Sequence, residues 1–253
     1  MKPLLLLVLT ASAAASAAPP AAVVSAIEYL RDQRSYSWEI INADPGPVAQ
    51  ELQTARGPVT TVQRNAFPHF KGSIDLAGNI LLQRDWPDGL KLDTLITATG
   101  AMVTKTPEGW LTMQEVLTAQ ADERLREGGP SGRYVWLRRA DRPAVPRPDQ
   151  ELVQLLALKE PSFEETERDT FVITATGRSE NVSNEFSATF TLHLRTGVIR
   201  DYELEIKGSQ RIGRARAALP TSEHRIVIIT YVPLAKLDVP AEAWEKLGVA
   251  RPR

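Results

Sequence analysis

The sequence predicts an α+β fold, an antiparallel sheet with one apolar and one polar face accompanied by two to four helices. Three observations point there. Residues 186–207 alternate apolar and polar side chains on both arms of a hairpin. Further alternating runs recur along the chain, separated by proline, glycine and aspartate turns. Helical segments with caps or apolar stripes lie between and after these runs.

The hairpin is the clearest element. Phe186, Ala188, Phe190, Leu192 and Leu194 share one face of its first arm, and Tyr202, Leu204 and Ile206 share one face of its second. A two-residue loop at Thr196-Gly197 would set Leu192 against Asp201, which mixes the faces. The pattern therefore predicts a loop of three residues, Thr196-Gly197-Val198, or of five, which opposes Leu192 to Tyr202 or to Leu204. Gly197 supplies the left-handed residue of a bulged turn.

From the start of the chain, Lys2 precedes an apolar run over 4–15 and the small-residue pattern Ala15-Ser16-Ala17. This is the pattern of a cleaved secretory signal, 1–17, followed by a single domain over 18–253. The apolar run is too short to span a bilayer and no second one follows, so no transmembrane segment is expected in the mature chain. There is no cysteine, which excludes disulfides, thiol chemistry and a lipidated N-terminal cysteine. A net charge of −1 gives no bias toward nucleic acid, and none is expected as a partner.

Val23, Ile27 and Leu30 recur at helical spacing, and 35–42 reads as a strand with Tyr36, Trp38 and Ile40 on one face. Residues 44–58 are rich in turn formers. Strands are expected over 59–67 and 70–76, split at Pro68, over 80–86 and over 90–98, where Leu90, Leu92, Thr94 and Ile96 share a face. Another over 100–106 turns through Pro107-Glu108-Gly109 into Trp110. Thr112 and Glu115 form a capping box opening a helix to about Arg126, with Val116, Leu117, Ala121 and Leu125 as its apolar stripe, ended by Gly128-Gly129. Within 130–148 the piece Tyr134-Val135-Trp136-Leu137 reads as a strand in a proline-rich and arginine-rich loop. Asp149 precedes a helix bearing Leu152, Val153, Leu155 and Leu156. Strands follow over 170–176, in the hairpin and over 224–232. The last is apolar on both faces, which predicts a central place or a helix covering its second face. Residues 239–248 form a short helix with Pro240 at its first turn and Gly248 as its stop.

This order of elements resembles the LolA-like group, the half-barrel carriers of outer-membrane lipoproteins and their relatives. The portions that carry the likeness are 90–117, with Glu108-Gly109-Trp110, and 186–247, with Leu237-Asp238-Val239-Pro240-Ala241-Glu242-Ala243. The resemblance implies a curved antiparallel sheet, an open half-barrel with the two to four helices packed on or beside its concave face, whose apolar concave side holds acyl chains or another greasy ligand. It carries over no binding residue position by position.

Catalytic signals are sparse. His69, His193 and His224 are isolated, with no metal-ligand spacing around them, and no nucleophile elbow, phosphate loop or dinucleotide fingerprint is present. No metal, cofactor or catalytic residue is expected. His193 should face solvent in a cross-strand pair with Asp201 or Glu203. Asp85, Asp88 and Asp93 cluster near one turn, but turn chemistry accounts for Asp88. Two basic stretches stand out. One holds Lys207, Arg211, Arg214, Arg216 and Arg225; the other holds Arg133, Arg138, Arg139, Arg142 and Arg147. Arg211, Arg214 and Arg216 are the candidates for contact with an anionic headgroup or a partner. Asn181-Val182-Ser183 matches a glycosylation sequon, which carries no weight where bacterial export is the expectation. Trp38, Trp86, Leu92, Ile96, Trp110, Phe190, Leu192, Tyr202 and Leu204 are the candidate lining of a hydrophobic site. The expectation is a secreted or periplasmic, non-enzymatic protein that binds a hydrophobic or lipid-like ligand. The alternative is an envelope interaction or sensor module whose sheet and basic loops hold a protein partner.

Overall fold

A computed structural model describes residues 18–43, 47–54, 57–64, 68–127, 131–140, 147–157, 159–178, 185–210 and 219–248. The signal segment, the sequon, Gly128-Gly129, Arg142 and the triplet Arg211, Arg214 and Arg216 lie outside the described residues. In chain order the elements begin α1 (Ala21–Asp32), β1 (Tyr36–Asn42), β2 (Pro47–Thr54), β3 (Gly57–Arg64), β4 (His69–Ile74), β5 (Ile80–Asp85), β6 (Lys91–Ile96), β7 (Met102–Thr106) and β8 (Gly109–Thr112). They continue α2 (Met113–Leu125), α3 (Gly132–Ala140), α4 (Pro148–Leu156), β9 (Lys159–Glu167), β10 (Thr170–Arg178), β11 (Glu185–Arg195), β12 (Val198–Gln210), β13 (Leu219–Thr230) and α5 (Ala241–Lys246).

Eleven strands form one antiparallel sheet in the order β8-β7-β6-β5-β4-β1-β13-β12-β11-β10-β9, curved and open at both edges, while β2 and β3 pair with each other in a two-stranded sheet. The fold class expected from the sequence is the one observed, with five helices among the described residues. No described helix is long and apolar enough to cross a membrane.

The register sorts the side chains onto two faces. Trp38 opposes Gly72 and Ile229, Val227 opposes Tyr202, Tyr202 opposes Leu192, and Leu192 opposes Phe171. This inner row is roofed by Val23, Ala26, Ile27 and Leu30 of α1 and by Leu152 of α4, and together they form the largest core cluster. Gly72 is required there, because the Trp38 indole occupies the space where a Cβ would stand. The opposite row, Lys71-Glu39-Ile228-Asp201-His193, is the wet face. β13 is central as expected, yet no described helix covers its second face: Ile228 is 37% exposed and Ile41, on the neighbouring strand, 38%.

The hairpin reaches the expected pairing of Leu192 with Tyr202 by a different route. Arg195 pairs with Val198 across a two-residue turn in which Thr196 and Gly197 have φ of 53° and 81°, both left-handed. The register then shifts between His193 and Leu194, so that Arg200 is an extra residue and the faces realign. The short turn that looked incompatible with the pattern is corrected by this bulge.

Other expectations change. The supposed strand at Tyr134-Val135-Trp136-Leu137 is part of α3, because Leu137 and Ala140, three residues apart, are its buried pair. The turn-rich stretch 44–58 contains β2 and the start of β3, and β9 and the first half of β13 were not anticipated. The capping box at α2 forms as expected: Thr112 N–H donates to Glu115 Oε2 at 2.8 Å and Glu115 N–H to Thr112 Oγ1 at 3.3 Å. Its buried face differs, being Val116, Gln120 and Glu123, while Leu117 and Leu125 are 45% and 84% exposed. The reason is polar: Gln120 Nε2 donates to the Leu137 carbonyl at 2.9 Å, and Glu123 accepts from Ser131 N–H and Oγ at the start of α3. The helix is turned toward α3 by these bonds at the expense of its leucines.

Candidate functional site

The inner face of the central strands is apolar except at one place. There Tyr36 of β1, Tyr202 of β12 and Arg225 of β13 project toward the first turn of α4. Asp149 and Glu151 are the acidic residues of that turn, where carboxylates complement the unpaired backbone N–H groups of a helix start. Tyr36 Oη donates to Asp149 Oδ1 at 2.7 Å, and Tyr202 Oη donates to Glu151 Oε2 at 2.6 Å. Arg225 pairs through Nη2 with Glu151 and through Nη1 with Glu223 at 2.6 Å, while Arg147 Nη2 lies 2.6 Å from Asp149. Asp149, Glu151, Arg225, Tyr36 and Tyr202 are all buried.

The electrostatics follow from that burial. Desolvation pushes the Glu151 carboxyl up from its ordinary value, with Arg225 and the Tyr202 hydroxyl pulling it back. The Tyr202 and Tyr36 hydroxyls rise for the same reason, reinforced by the carboxylates they face, so both act as fixed donors. Burial penalises the Arg225 cation, but Glu151 and Glu223 outweigh it and hold the guanidinium charged. The network thus seats a nine-residue helix on the greasy face through exchangeable polar bonds, with Leu152 as its fully buried apolar anchor.

The candidate lining residues divide among three clusters. Trp38, Phe190, Leu192, Tyr202 and Leu204 belong to the core under α1 and α4, with Ile96 at its rim. Trp86 and Leu92 pack with Val116, Leu137 and Ala140 beneath α2 and α3. Trp110 points the other way: it opposes Lys105 on the outer face and packs with Leu95, Val103, Leu237, Val239 and Trp244 under α5. The structure therefore brings together the central group and separates Trp86, Leu92 and Trp110 from it.

All three histidines sit on the outer face beside one carboxylate each. His69 Nε2 is 2.6 Å from Glu39, His193 pairs with Asp201 as expected, and His224 lies 3.8 Å from Glu203. Asp88 performs turn and docking work: its carboxylate accepts from Leu90 N–H at 3.3 Å and lies 2.6 Å from Arg139 Nη1. Desolvation works against its charge, but those two donors hold the carboxyl below its usual range.

The basic stretches resolve differently from their appearance in sequence. Arg225 is not a surface residue but the buried partner of Glu151. Arg133 pairs with Glu108 and Glu123, Arg139 with Asp88, and Arg147 with Asp149. Arg84 and Arg139 both lie over the Trp86 ring, at 5.6 and 5.4 Å from its centroid, which fixes the tryptophan under α3. Of the second stretch, Arg133, Arg139 and Arg147 are thus spent on internal pairing. Sequence reading missed Tyr36, Asp149, Glu151 and Arg225 as a group. The available signal was an arginine at an inward position of an alternating strand and two acids opening an amphipathic helix.

A cavity of about 540 Å3 lies on the outer face at one end of β4–β7, lined by polar residues including Lys71, Gln83, Asp93 and Lys105. No protein-family model matches the chain, and no curated protein matches it significantly.

Proposed function

We propose that the mature chain is an exported, non-enzymatic protein that binds a hydrophobic or lipid-like ligand on the concave face of its half-barrel. The observation that carries this reading is the way α4 is seated. The helix covers Tyr36, Tyr202 and their apolar neighbours mainly through bonds to Asp149 and Glu151. When such a helix lifts, its carboxylates and the tyrosine hydroxyls regain water, so the cost of departure is moderated. What then lies open is the part of the apolar cluster under Leu152, a cluster that includes Trp38, Phe190, Leu192 and Leu204 and stays roofed elsewhere by α1; such a surface favours an acyl chain over water. Residues 1–17 support export, and the likeness to lipoprotein carriers agrees with the ligand class.

Native mass spectrometry of the protein purified gently from its own envelope tests the proposal. The expected result is a discrete added mass that extracts into organic solvent as lipid. A clean unliganded mass, with no uptake of a fatty acid or phospholipid supplied in micelles, would overturn it. The reading as a protein-interaction module is favoured by one observation, the exposed Ile41 and Ile228 beside half-buried Ile226 on the outer face of β1 and β13. Recovery of an envelope partner lost on Ile228→Asp, in a protein that takes up no lipid, would decide for it.

A further inference from the structure

The outer-face cavity lies outside the concave site and has chemistry of its own. Its floor is a row of directly opposed residues on four neighbouring strands: Lys71 with Gln83, Gln83 with Asp93, and Asp93 with Lys105. With strands about 4.8 Å apart, the row is about 14 Å long. A second row, His69, Asp85 and Lys91, lies two residues along toward the β5–β6 turn. Gly89, Leu90 and Pro107 of the two adjacent turns close that end.

The polar groups divide into committed and uncommitted ones. Lys91 is held by Asp85 at 3.2 Å, and Glu39 takes both His69 at 2.6 Å and Lys71 at 3.6 Å. Gln83, Asp93 and Lys105 form no hydrogen bond or ion pair through their side chains among the described residues, although Asp93 stands opposite both others. One carboxylate, one amide and one ammonium therefore face the same cavity with their bonding capacity free. A purely anionic ligand would meet Asp93, and a purely cationic one would meet Lys105.

We propose that this cavity is a second binding site, for a small zwitterion whose ammonium is taken by Asp93 and whose acidic group is taken by Lys105, with Gln83 bonding the atoms between. Phosphoethanolamine, as a free compound or lipid headgroup, and a short peptide both present this chemistry. The proposal does not rest on a greasy ligand in the half-barrel.

The test is calorimetric and NMR titration of the full mature chain with O-phosphoethanolamine and with alanyl-alanine, using ethanolamine alone and inorganic phosphate alone as single-charge controls. At least one zwitterion is expected to bind saturably, and which one does distinguishes a headgroup from a peptide. Asp93→Asn and Lys105→Met should each weaken that binding by about tenfold, the loss of one charge-assisted bond. Neither side chain bonds to another group among the described residues, so thermal unfolding should be unchanged and confirm that the variants fold. The proposal is overturned if neither zwitterion saturates, if a single-charge control binds as well, or if binding survives both substitutions.

Discussion

The two arms of the sheet are built from the same alternating strands but are covered differently. In the arm from β1 through β13 to β9, the inner face packs under α1 and α4 and the outer face is wet. In the arm from β4 to β8, Trp86 and Leu92 pack inward under α2 and α3, while Leu95, Val103 and Trp110 pack outward under α5. A strand covered on one face records its environment in a strict period of two, whereas one covered on both faces loses that record. The contrast shows where alternation can be trusted to report exposure.

The largest effect that sharpens this contrast should come from the polar group specific to the first arm. Arg225→Met removes the cation that holds Glu151 and leaves a buried carboxylate without its charge partner. Urea unfolding should show a loss of about 3–5 kcal/mol, and adding Glu151→Leu should recover most of it. If the single and double variants are equally unstable, Arg225 acts by packing alone. Next in size is a pair on the outer face. Leu95→Ala, beneath α5, should cost about 2–4 kcal/mol, whereas Ile228→Ala, on the uncovered part of that face, should cost under about 1 kcal/mol. Equal costs would mean that Ile228 is also covered in solution.

The same contrast explains what could be read from the chain. The central strands, their faces and the pairing of Leu192 with Tyr202 were legible because one face is apolar and the other polar. The capping box of α2 was legible because it is a local pattern. The face of α2 was not: Gln120 and Glu123 are buried by bonds to α3, a decision made by residues up to 17 positions away. Leu95 and Val103 face outward, and nothing local says that residues 237–244 return to cover them. The α4 network was missed for a related reason, since Asp149 and Glu151 look like solvated acids until Tyr36 and Tyr202 are brought against them.

A smaller effect tests how tightly the first arm is packed. Gly72→Ala places a methyl group inside the Trp38 indole, so the ring must move. The expected loss is about 1–3 kcal/mol, with a shift in tryptophan emission as the indole leaves its place. An unchanged emission spectrum and stability would show that the ring has room to slide, and that the floor beneath α4 is looser than its burial suggests.

The smallest effects concern pH, and the two arms should respond with opposite sign. Glu115 ties α2 to α5: Lys246 Nζ lies 2.6 Å from its carboxylate, and together with Thr112 N–H holds that carboxyl below its ordinary value. A carboxyl with a lowered folded pKa contributes stability above its unfolded value of about 4.3, and loses it as pH falls through the folded value. The pair is half-exposed, so the contribution is about 0.5 kcal/mol. Glu151 is the reverse case, its folded pKa being raised by burial. Its protonated form is favoured in the folded state, an advantage present below about pH 4.3 and lost as pH rises through the folded value. Amide exchange, corrected for intrinsic rates, should therefore show α5 losing protection below about pH 4 while α4 holds or gains it. Glu115→Gln should remove the pH response of α5, and Glu151→Gln that of α4. If both helices lose protection together at one pH, the arms unfold as a single unit and their different coverings do not set their separate stabilities.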